Sequence, residues 1–175
     1  MDEVKVVDNF LDDEWFKVMQ NNIVWNNDFP LFFTGNVENG YGVDDPAAGE
    51  PWQYYMTHML YNDNVPKGNL FYTISSSIFP LFSVDYNMKS LLRVKVNCYP
   101  STAEIKEHRP HVDYKFKHTA AILSLNTCNG FTRLADGTKI DSVENRLLLF
   151  DGSIEHNSST TTDAKGRYNI NFNFL

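Results

Sequence analysis

The chain has 175 residues, with 15 Lys and Arg against 22 Asp and Glu, so its formal net charge is −7. This length predicts a single domain, residues 1–175, and an apolar content of 42% suffices for a core, which excludes wholesale disorder. The acidic balance argues against binding duplex nucleic acid through its phosphates, and no stretch approaches the ~18 apolar residues of a membrane span. Residues 1–4 are unlike a signal peptide, and Cys98 and Cys128 form no paired motif, so we expect a cytoplasmic protein.

The first part of the chain predicts one short strand, one helix and a long irregular segment. Residues 4–7 favour the strand, and Asp12 or Asp13 can cap the helix that follows. Residues 26–65 are rich in Asn, Asp, Gly, Pro and aromatic side chains. We interpret them as irregular, with one strand near 52–60, and expect them to form a lid that decides specificity, because binding residues concentrate on loops.

A second helix is predicted to begin at Pro66, since proline is well tolerated in a first helical turn. Apolar residues at helical spacing, including Leu70 and Ile74, carry this helix to about Phe79. The half of the chain up to residue 90 is therefore expected to be helices and loops that support a second, different half.

From residue 91 the apolar pattern changes to a period of two, which is typical of strands. Turn dipeptides such as Asn129-Gly130 and Asp136-Gly137 separate the apolar runs. We predict strands at 92–99, 119–126, 131–134, 147–150 and 167–174. Strands this short and this regularly spaced favour a β-sandwich, so the predicted fold class is mainly β with N-terminal helices (α+β).

A His-x-Asp pair follows the first of these strands. His111 and Asp113 are two residues apart, so in extended backbone both side chains leave the same face and can reach one point. His156, just after the turn at 151–153, could complete a 2-His-1-carboxylate metal site with open positions. A surface histidine paired with Asp113 is the alternative that the pair alone leaves open.

The last strand separates polar from apolar side chains without exception. Arg167, Asn169, Asn171 and Asn173 share one face, and the aromatic and aliphatic residues between them share the other. The apolar face is expected to pack against the helices. The polar face either meets water or lines a polar cavity, in which a buried guanidinium would need an anionic partner such as a carboxylate.

The strand before the His-x-Asp pair carries Arg93, Asn97 and Tyr99. Asn97 and Tyr99 share a face, and both can donate hydrogen bonds to a carboxylate, although an ordinary polar strand face would look the same. The aromatic residues at 52–55 are interpreted as a cover for the core. No role is assigned to His58 or His118.

In order and spacing, these motifs resemble those of the Fe(II)/2-oxoglutarate-dependent oxygenases. The matching motifs are Asn97-x-Tyr99, His111-x-Asp113, residues 147–151 with His156, and Arg167-Tyr168-Asn169. The likeness is closest to the prolyl-hydroxylase-like branch and its small members of phage and marine-microbial type, and it covers about residues 90–175. It implies a double-stranded β-helix, the cupin-like jelly roll, with the strand of the distal histidine and the final strand in opposite sheets.

The resemblance also implies a role for each matched residue. Fe(II) would be held by His111, Asp113 and His156. The co-substrate 2-oxoglutarate would be bound by Arg167, at its distal carboxylate, and by Tyr99, Asn97 and Asn169. The family's glycine after the strand tyrosine is missing, because residues 100–102 are Pro-Ser-Thr. That departure leaves His108 as a rival to His111, which we favour because it alone has an Asp partner at the right spacing.

The function implied by the resemblance is a dioxygenase, with O2 and 2-oxoglutarate as its partners. It would couple oxidative decarboxylation of 2-oxoglutarate to C–H oxidation of a peptidyl, amino-acid or other small substrate. Residues 91–175 would be the jelly-roll catalytic core, and residues 1–90 the support and lid region. The alternative is a non-catalytic jelly roll, either a metal-binding protein or a virion-associated binding protein.

Overall fold

The structure, a computed structural model, describes residues 4–35 and 50–175. Within these residues the chain forms eleven strands and two helices. In chain order they are β1 (Lys5–Val7), α1 (Asp13–Ile23), β2 (Phe32–Thr34), β3 (Tyr55–Asn62), β4 (Val65–Pro66), α2 (Asn69–Asp85), β5 (Leu91–Pro100), β6 (Thr119–Ser124), β7 (Phe131–Leu134), β8 (Lys139–Asp141), β9 (Leu147–Asp151), β10 (His156–Ser158) and β11 (Gly166–Phe174). Neither helix has the length and hydropathy that a bilayer crossing needs.

Two antiparallel sheets build the molecule. The larger has the order β1-β9-β6-β11-β5-β3-β2, with β4 paired to β3, and the smaller has the order β10-β7-β8. The fold class, mainly β with N-terminal helices, is therefore confirmed. The strands that carry His156 and Arg167 lie in opposite sheets, as expected, because β10 belongs to the small sheet and β11 to the large one.

The two faces of β11 decide where the core and the cavity lie. Ile170, Phe172 and Phe174 are buried in the core with apolar residues of both helices. The ring of Phe82 from α2, for example, stands edge-on to Phe172 with centroids 5.1 Å apart. The opposite, polar face of β11 is buried as well, so it does not meet water.

The predicted bounds of the second helix were wrong at both ends. Pro66 lies in β4, because residues 62–65 form a tight turn in which Asp63 and Asn64 both adopt positive φ. Helix α2 begins only at Asn69 and continues through Pro80 to Asp85. Pro80 is exposed, so its ring faces solvent, and the apolar stripe beneath it remains packed on the sheet.

Other elements agree with the predictions except for three short strands. Asp12 caps α1 by accepting a hydrogen bond from the backbone N of Trp15, at 3.0 Å. The segment 26–65 contains β2 as well as the strand expected near 52–60, and the short strands β8 and β10 were not predicted. Residues 36–49 of that segment, and residues 1–3, lie outside the described residues.

Candidate metal centre

Two histidines and an aspartate come together in the cavity between the two sheets. Nitrogen and oxygen atoms of His111, Asp113 and His156 all lie within 4.8 Å of one another, and Nε2 of His156 is 4.0 Å from Oδ2 of Asp113. We call the space that these side chains line, together with residues of β5 and β11, the central cavity. Its three converging donors form the 2-His-1-carboxylate set that suits Fe(II).

Backbone pairing holds the two ligand segments side by side. His111 and His156 form an antiparallel bridge in which each backbone N donates to the other's carbonyl oxygen at 2.9 Å. The backbone N of Asp113 donates to the carbonyl of Gly152 at 3.0 Å. The loop after β5 and the start of β10 are therefore fixed to each other by main chain, independently of a metal.

The imidazoles are suited to bind a cation because both are uncharged at neutral pH. Burial lowers the pKa of His111 to about 4, and the neighbouring His156 lowers it further. Burial also lowers the pKa of His156. Nδ1 of His156 lies 3.0 Å from the carbonyl of Ile154, so it carries the proton and leaves the Nε2 lone pair for a metal.

Asp113 stays ionised despite its burial. Burial by itself would raise the pKa of this carboxyl, but Arg93 and the other nearby positive groups hold it well below its usual range. Arg93 Nη2 donates to Oδ1 at 2.5 Å, and Asn173 Nδ2 donates to Oδ2 at 2.8 Å. Asn173 also lies 3.2 Å from Nε2 of His118, which extends the network to β6. These bonds fix the orientation of the carboxylate.

A buried guanidinium lies in the same cavity. The side chain of Arg167 is only 1% exposed, and its Nη2 donates to Oγ1 of Thr132 at 2.7 Å. Among the described residues its Nε and Nη1 have no hydrogen-bond partner, although both are buried. A charged group with two unused donors fits a carboxylate, which can accept both.

The remaining predicted side chains lie beside Arg167 on β5 and β11. Tyr99 is opposite Arg167 in the strand register, and the guanidinium carbon lies 5.4 Å from the tyrosine ring centroid. Asn97 is opposite Asn169 and donates to its Oδ1 at 3.0 Å. Burial raises the pKa of Tyr99, so its hydroxyl remains a donor.

His108, the rival of His111, lies outside the three-residue cluster. Its Nδ1 is 3.1 Å from the carbonyl of Ser158, and its ring packs between Trp52 and Tyr99. Trp52 therefore covers the site rather than the main core. Burial lowers the pKa of His108 to about 4, so it is a neutral side chain packed behind Tyr99 and Ser158, which line the cavity.

Several residues with positions at the site were not assigned by sequence reasoning, among them Arg93, His118 and Tyr55. Arg93 holds Asp113 directly, and His118 contacts Asn173, which in turn holds Asp113. Tyr55, on β3, lines the cavity and stacks on Tyr99. The alternation of β5 does put Arg93 on the face of Asn97. The partner of Arg93 could not be deduced from that pattern, and nothing in the local sequence marks His118 or Tyr55.

The architecture is that of the Fe(II)/2-oxoglutarate oxygenase jelly roll, and solved structures of that class match it. A prolyl hydroxylase from Trichoplax adhaerens, in complex with a peptide fragment of the hypoxia-inducible factor oxygen degradation domain, has a TM-score of 0.66 at 19% identity, over 98% of this chain and 83% of that chain. A viral collagen prolyl hydroxylase from Paramecium bursaria Chlorella virus-1, in a 2-oxoglutarate complex, has a TM-score of 0.58 at 12% identity, over 98% and 96%.

A further match is an oxidoreductase of the 2-oxoglutarate-Fe(II) oxygenase family from Burkholderia pseudomallei, with a TM-score of 0.66 at 9% identity over 98% of this chain and 84% of that chain. No protein-family model and no curated protein matches the sequence. At these identities the likeness concerns the fold. The resemblance inferred from the motifs, including that to the prolyl-hydroxylase-like branch, is confirmed at this level.

Proposed function

We propose that the chain is an Fe(II)- and 2-oxoglutarate-dependent dioxygenase of the hydroxylase type. One observation carries the proposal: a 2-His-1-carboxylate cluster shares a cavity with a buried arginine that has two unpartnered nitrogens. In this proposal His111, Asp113 and His156 hold the metal. The co-substrate is bound by Arg167, Tyr99, Asn97 and Asn169.

The residues present fit both groups. Two neutral imidazoles and one carboxylate make a monoanionic donor set that leaves coordination positions free for further ligands. When bound, Fe(II) would supply the oxidation chemistry, in which O2 converts 2-oxoglutarate to succinate and CO2 while a C–H bond of the substrate is oxidised. Arg167 would neutralise and orient the distal carboxylate of the co-substrate, with Thr132 fixing one end of its guanidinium.

The surrounding protein would keep the cavity ordered and shielded from bulk water. Asp113 and His156 are 7% and 4% exposed, respectively, so the ligand atoms are withdrawn from solvent. Arg93 and Asn173 hold the carboxylate in one orientation through bonds of 2.5 and 2.8 Å. A site that is ordered before its ligands arrive loses less entropy when they bind.

The substrate is proposed to be a peptidyl, amino-acid or other small molecule. The Trichoplax prolyl hydroxylase, which was solved with a peptide, supports a peptidyl target by analogy of fold. Residues 91–175 would form the catalytic core, since β5, the ligands and β11 all lie there. Residues 1–90 would form the support and lid, and Tyr55 supports a direct role of that part in the cavity. The free, buried thiols of Cys98 and Cys128 support the expected cytoplasmic location.

The test is anaerobic addition of Fe(II) and then 2-oxoglutarate to the purified protein. We expect a visible metal-to-ligand charge-transfer absorption, and release of succinate when O2 is admitted. The band should be lost in His156→Ala and kept in His58→Ala, because His58 lies on β3 and bonds to the carbonyl of Pro30. Absence of both band and succinate in the unmodified protein would defeat the proposal and favour a non-catalytic jelly roll.

A further inference from the structure

The central cavity contains a second cation that the proposed reaction does not use. Lys95 lies on β5, two residues before Asn97, and its side chain lines the same cavity as the three ligand residues. Its positive charge acts on His111, His156 and Asp113. Lys95 therefore lines the same cavity as the three clustered side chains, where it can contact a ligand that binds beside them.

Lys95 has no anionic partner among the described residues. No carboxylate of residues 4–35 or 50–175 lies within 4.0 Å of its Nζ, whereas Arg93 has Asp113 and Arg133 has Glu107. Burial lowers the pKa of Lys95 to about 8, so the amine is still predominantly protonated at neutral pH. A partly buried ammonium without a counter-ion is costly, and an anionic ligand would reduce that cost.

A second donor converges on the same place. Nζ of Lys95 lies 3.5 Å from the hydroxyl oxygen of Tyr55, which accepts from it. The Tyr55 hydroxyl also interacts with the side chain of Thr34, and it keeps a proton that it can donate to a ligand. Burial raises the pKa of Tyr55 to about 12, so that proton is retained. An ammonium and a hydroxyl side by side match the two oxygens of a carboxylate.

The position of Lys95 in the sheet separates it from the arginine. Arg167 pairs with Tyr99, and Lys95 pairs with Asn171, so the two cations are four residues apart along both strands. That spacing corresponds to about 13 Å of strand. The central cavity is therefore lined by two cations at different positions along these strands, and by the three-residue cluster as well. A co-substrate anchored at Arg167 would leave Lys95 available.

We infer that Lys95, with the hydroxyl of Tyr55, binds a carboxylate of the primary substrate. The inference deepens the proposed function and rests on it, because it takes the arginine end of the cavity to be filled by 2-oxoglutarate. Asn171, opposite Lys95, has a buried and unpartnered Oδ1, which calls for an N–H donor. The substrate class that fits is an amino-acid derivative with a free carboxylate next to an N–H.

The test uses pairs of probes that differ only in that charge. N-acetylglycine and N-acetyl-L-proline are compared with their carboxamides, by anaerobic calorimetric titration of the protein saturated with Mn(II) and 2-oxoglutarate. We expect at least one acid to bind about tenfold more tightly than its amide, as a charge-assisted bond requires. If neither acid binds more tightly than its amide, including the case in which no probe binds, the inference is wrong.

Variants assign the preference to Lys95. Lys95→Met should abolish the acid preference, Lys95→Arg should retain it, and Lys17→Met, an exposed lysine on α1, should leave it unchanged. The affinity of Lys95→Met for 2-oxoglutarate should change less than about threefold. A loss of 2-oxoglutarate affinity as large as that of an Arg167 variant would place Lys95 in the co-substrate site and overturn the inference. Persistence of the acid preference in Lys95→Met would overturn it as well.

The two hypotheses fail in different ways. If the unmodified protein shows no 2-oxoglutarate-dependent absorption with Fe(II), the proposed function fails. If 2-oxoglutarate binds but acids and amides are not distinguished, only the carboxylate site fails.

Discussion

The charge of Asp113, the single carboxylate of the proposed metal site, is already compensated by protein groups. Arg93 donates to one oxygen and Asn173 to the other, and both partners are buried. In the proposed function, the metal and the arginine would therefore stabilise the same negative charge. Removing the arginine leaves a buried carboxylate without a partner, a defect that a metal ion could repair.

Arg93→Met should consequently destabilise the metal-free protein by about 3–5 kcal/mol. Addition of Mn(II) should raise the melting temperature of this variant by more than it raises that of the unmodified protein, because the ion replaces the lost charge. Thermal unfolding with and without metal measures both effects. Arg133→Met is the control: its ion pair with Glu107 lies at the surface, so its loss should destabilise the protein far less than the loss of Arg93. A smaller metal-induced rise in Arg93→Met would mean that Arg93 positions the carboxylate for the ion instead.

Arg167→Met should separate co-substrate binding from metal binding. The variant loses the two unpartnered donors, so the dissociation constant for 2-oxoglutarate should rise by about 100-fold or more. Its affinity for Mn(II) should stay within about threefold, since Arg167 is not one of the clustered ligands. Calorimetric titration with each ligand decides this, and equal loss of both affinities would contradict the assignment.

Strand periodicity in the sequence predicts which candidate site residues share a face of one strand, but not which strands and loops meet at the site. A spacing of two put His111 and Asp113 on one side of the chain, and it put Arg167 with Asn169. The sequence favoured His111 over His108 only through the Asp partner at the right spacing. It could not show the backbone bridge that His111 makes with His156. Contacts of this kind join residues that are 45 positions apart, so no local pattern contains them.

Among the elements, the loop before β7 controls the room available to Arg167. A Cβ on Gly130 would lie 2.8 Å from Cδ of Arg167 and 2.8 Å from the carbonyl oxygen of Thr160. The backbone at Thr160 cannot shift easily, so the side chain of Arg167 would have to move. The glycine was read from the sequence as a turn signal, but the structure shows that its small size matters at least as much.

Gly130→Ala should therefore weaken 2-oxoglutarate binding by about tenfold and lower the free energy of unfolding by about 1–3 kcal/mol, as overpacking does. Gly137→Ala is the matched control, because its φ of +87° strains an alanine but no atom lies within 4 Å of the added Cβ. That variant should lose about 1 kcal/mol of stability and no co-substrate affinity. Denaturant unfolding and ligand titration of both variants check the pair. Unchanged 2-oxoglutarate affinity in Gly130→Ala would show that the guanidinium can shift freely.

The error in the second helix has a definite physical origin. A proline favours a first helical turn, but at Pro66 the preceding residues Asp63 and Asn64 tolerate positive φ and close a hairpin instead. Proline inside a helix is destabilising because it removes a backbone hydrogen bond. Pro80 lies on the exposed side of α2, so this does not disturb the packing of Ile78 and Phe82, which remain buried. Tertiary packing of the apolar stripe outweighed both local signals.

At the scale of the whole molecule, the change of period at residue 91 predicted the class of fold but not the arrangement of the strands. The alternation in β11 predicted an apolar environment on one face of the strand and a polar one on the other. The helices provide the first, and the central cavity provides the second. The small sheet was harder to predict, because β8 and β10 have three residues each and show no periodicity. The net charge of −7 likewise gave no hint of a cavity lined by Lys95 and Arg167.

Burial of histidines makes the stability of the metal-free protein dependent on pH. Burial lowers the pKa of His108 and of His111 to about 4, whereas an unfolded chain titrates near its ordinary value of about 6.5. Between these values the unfolded chain binds more protons than the folded one. The stabilisation is therefore complete above about pH 6.5 and is lost as the pH falls toward 4.

We expect the free energy of unfolding of the metal-free protein to fall from pH 6.5 to pH 4.5, by about 1.4 kcal/mol per pH unit for each histidine that is protonated only in the unfolded chain. Urea titrations at several pH values measure this slope. His108→Gln removes one of these groups, so its slope should be shallower by about that amount, whatever its stability at pH 7. An equal slope in the variant would contradict this assignment, because it would mean that folding does not change the protonation of His108 in this pH range.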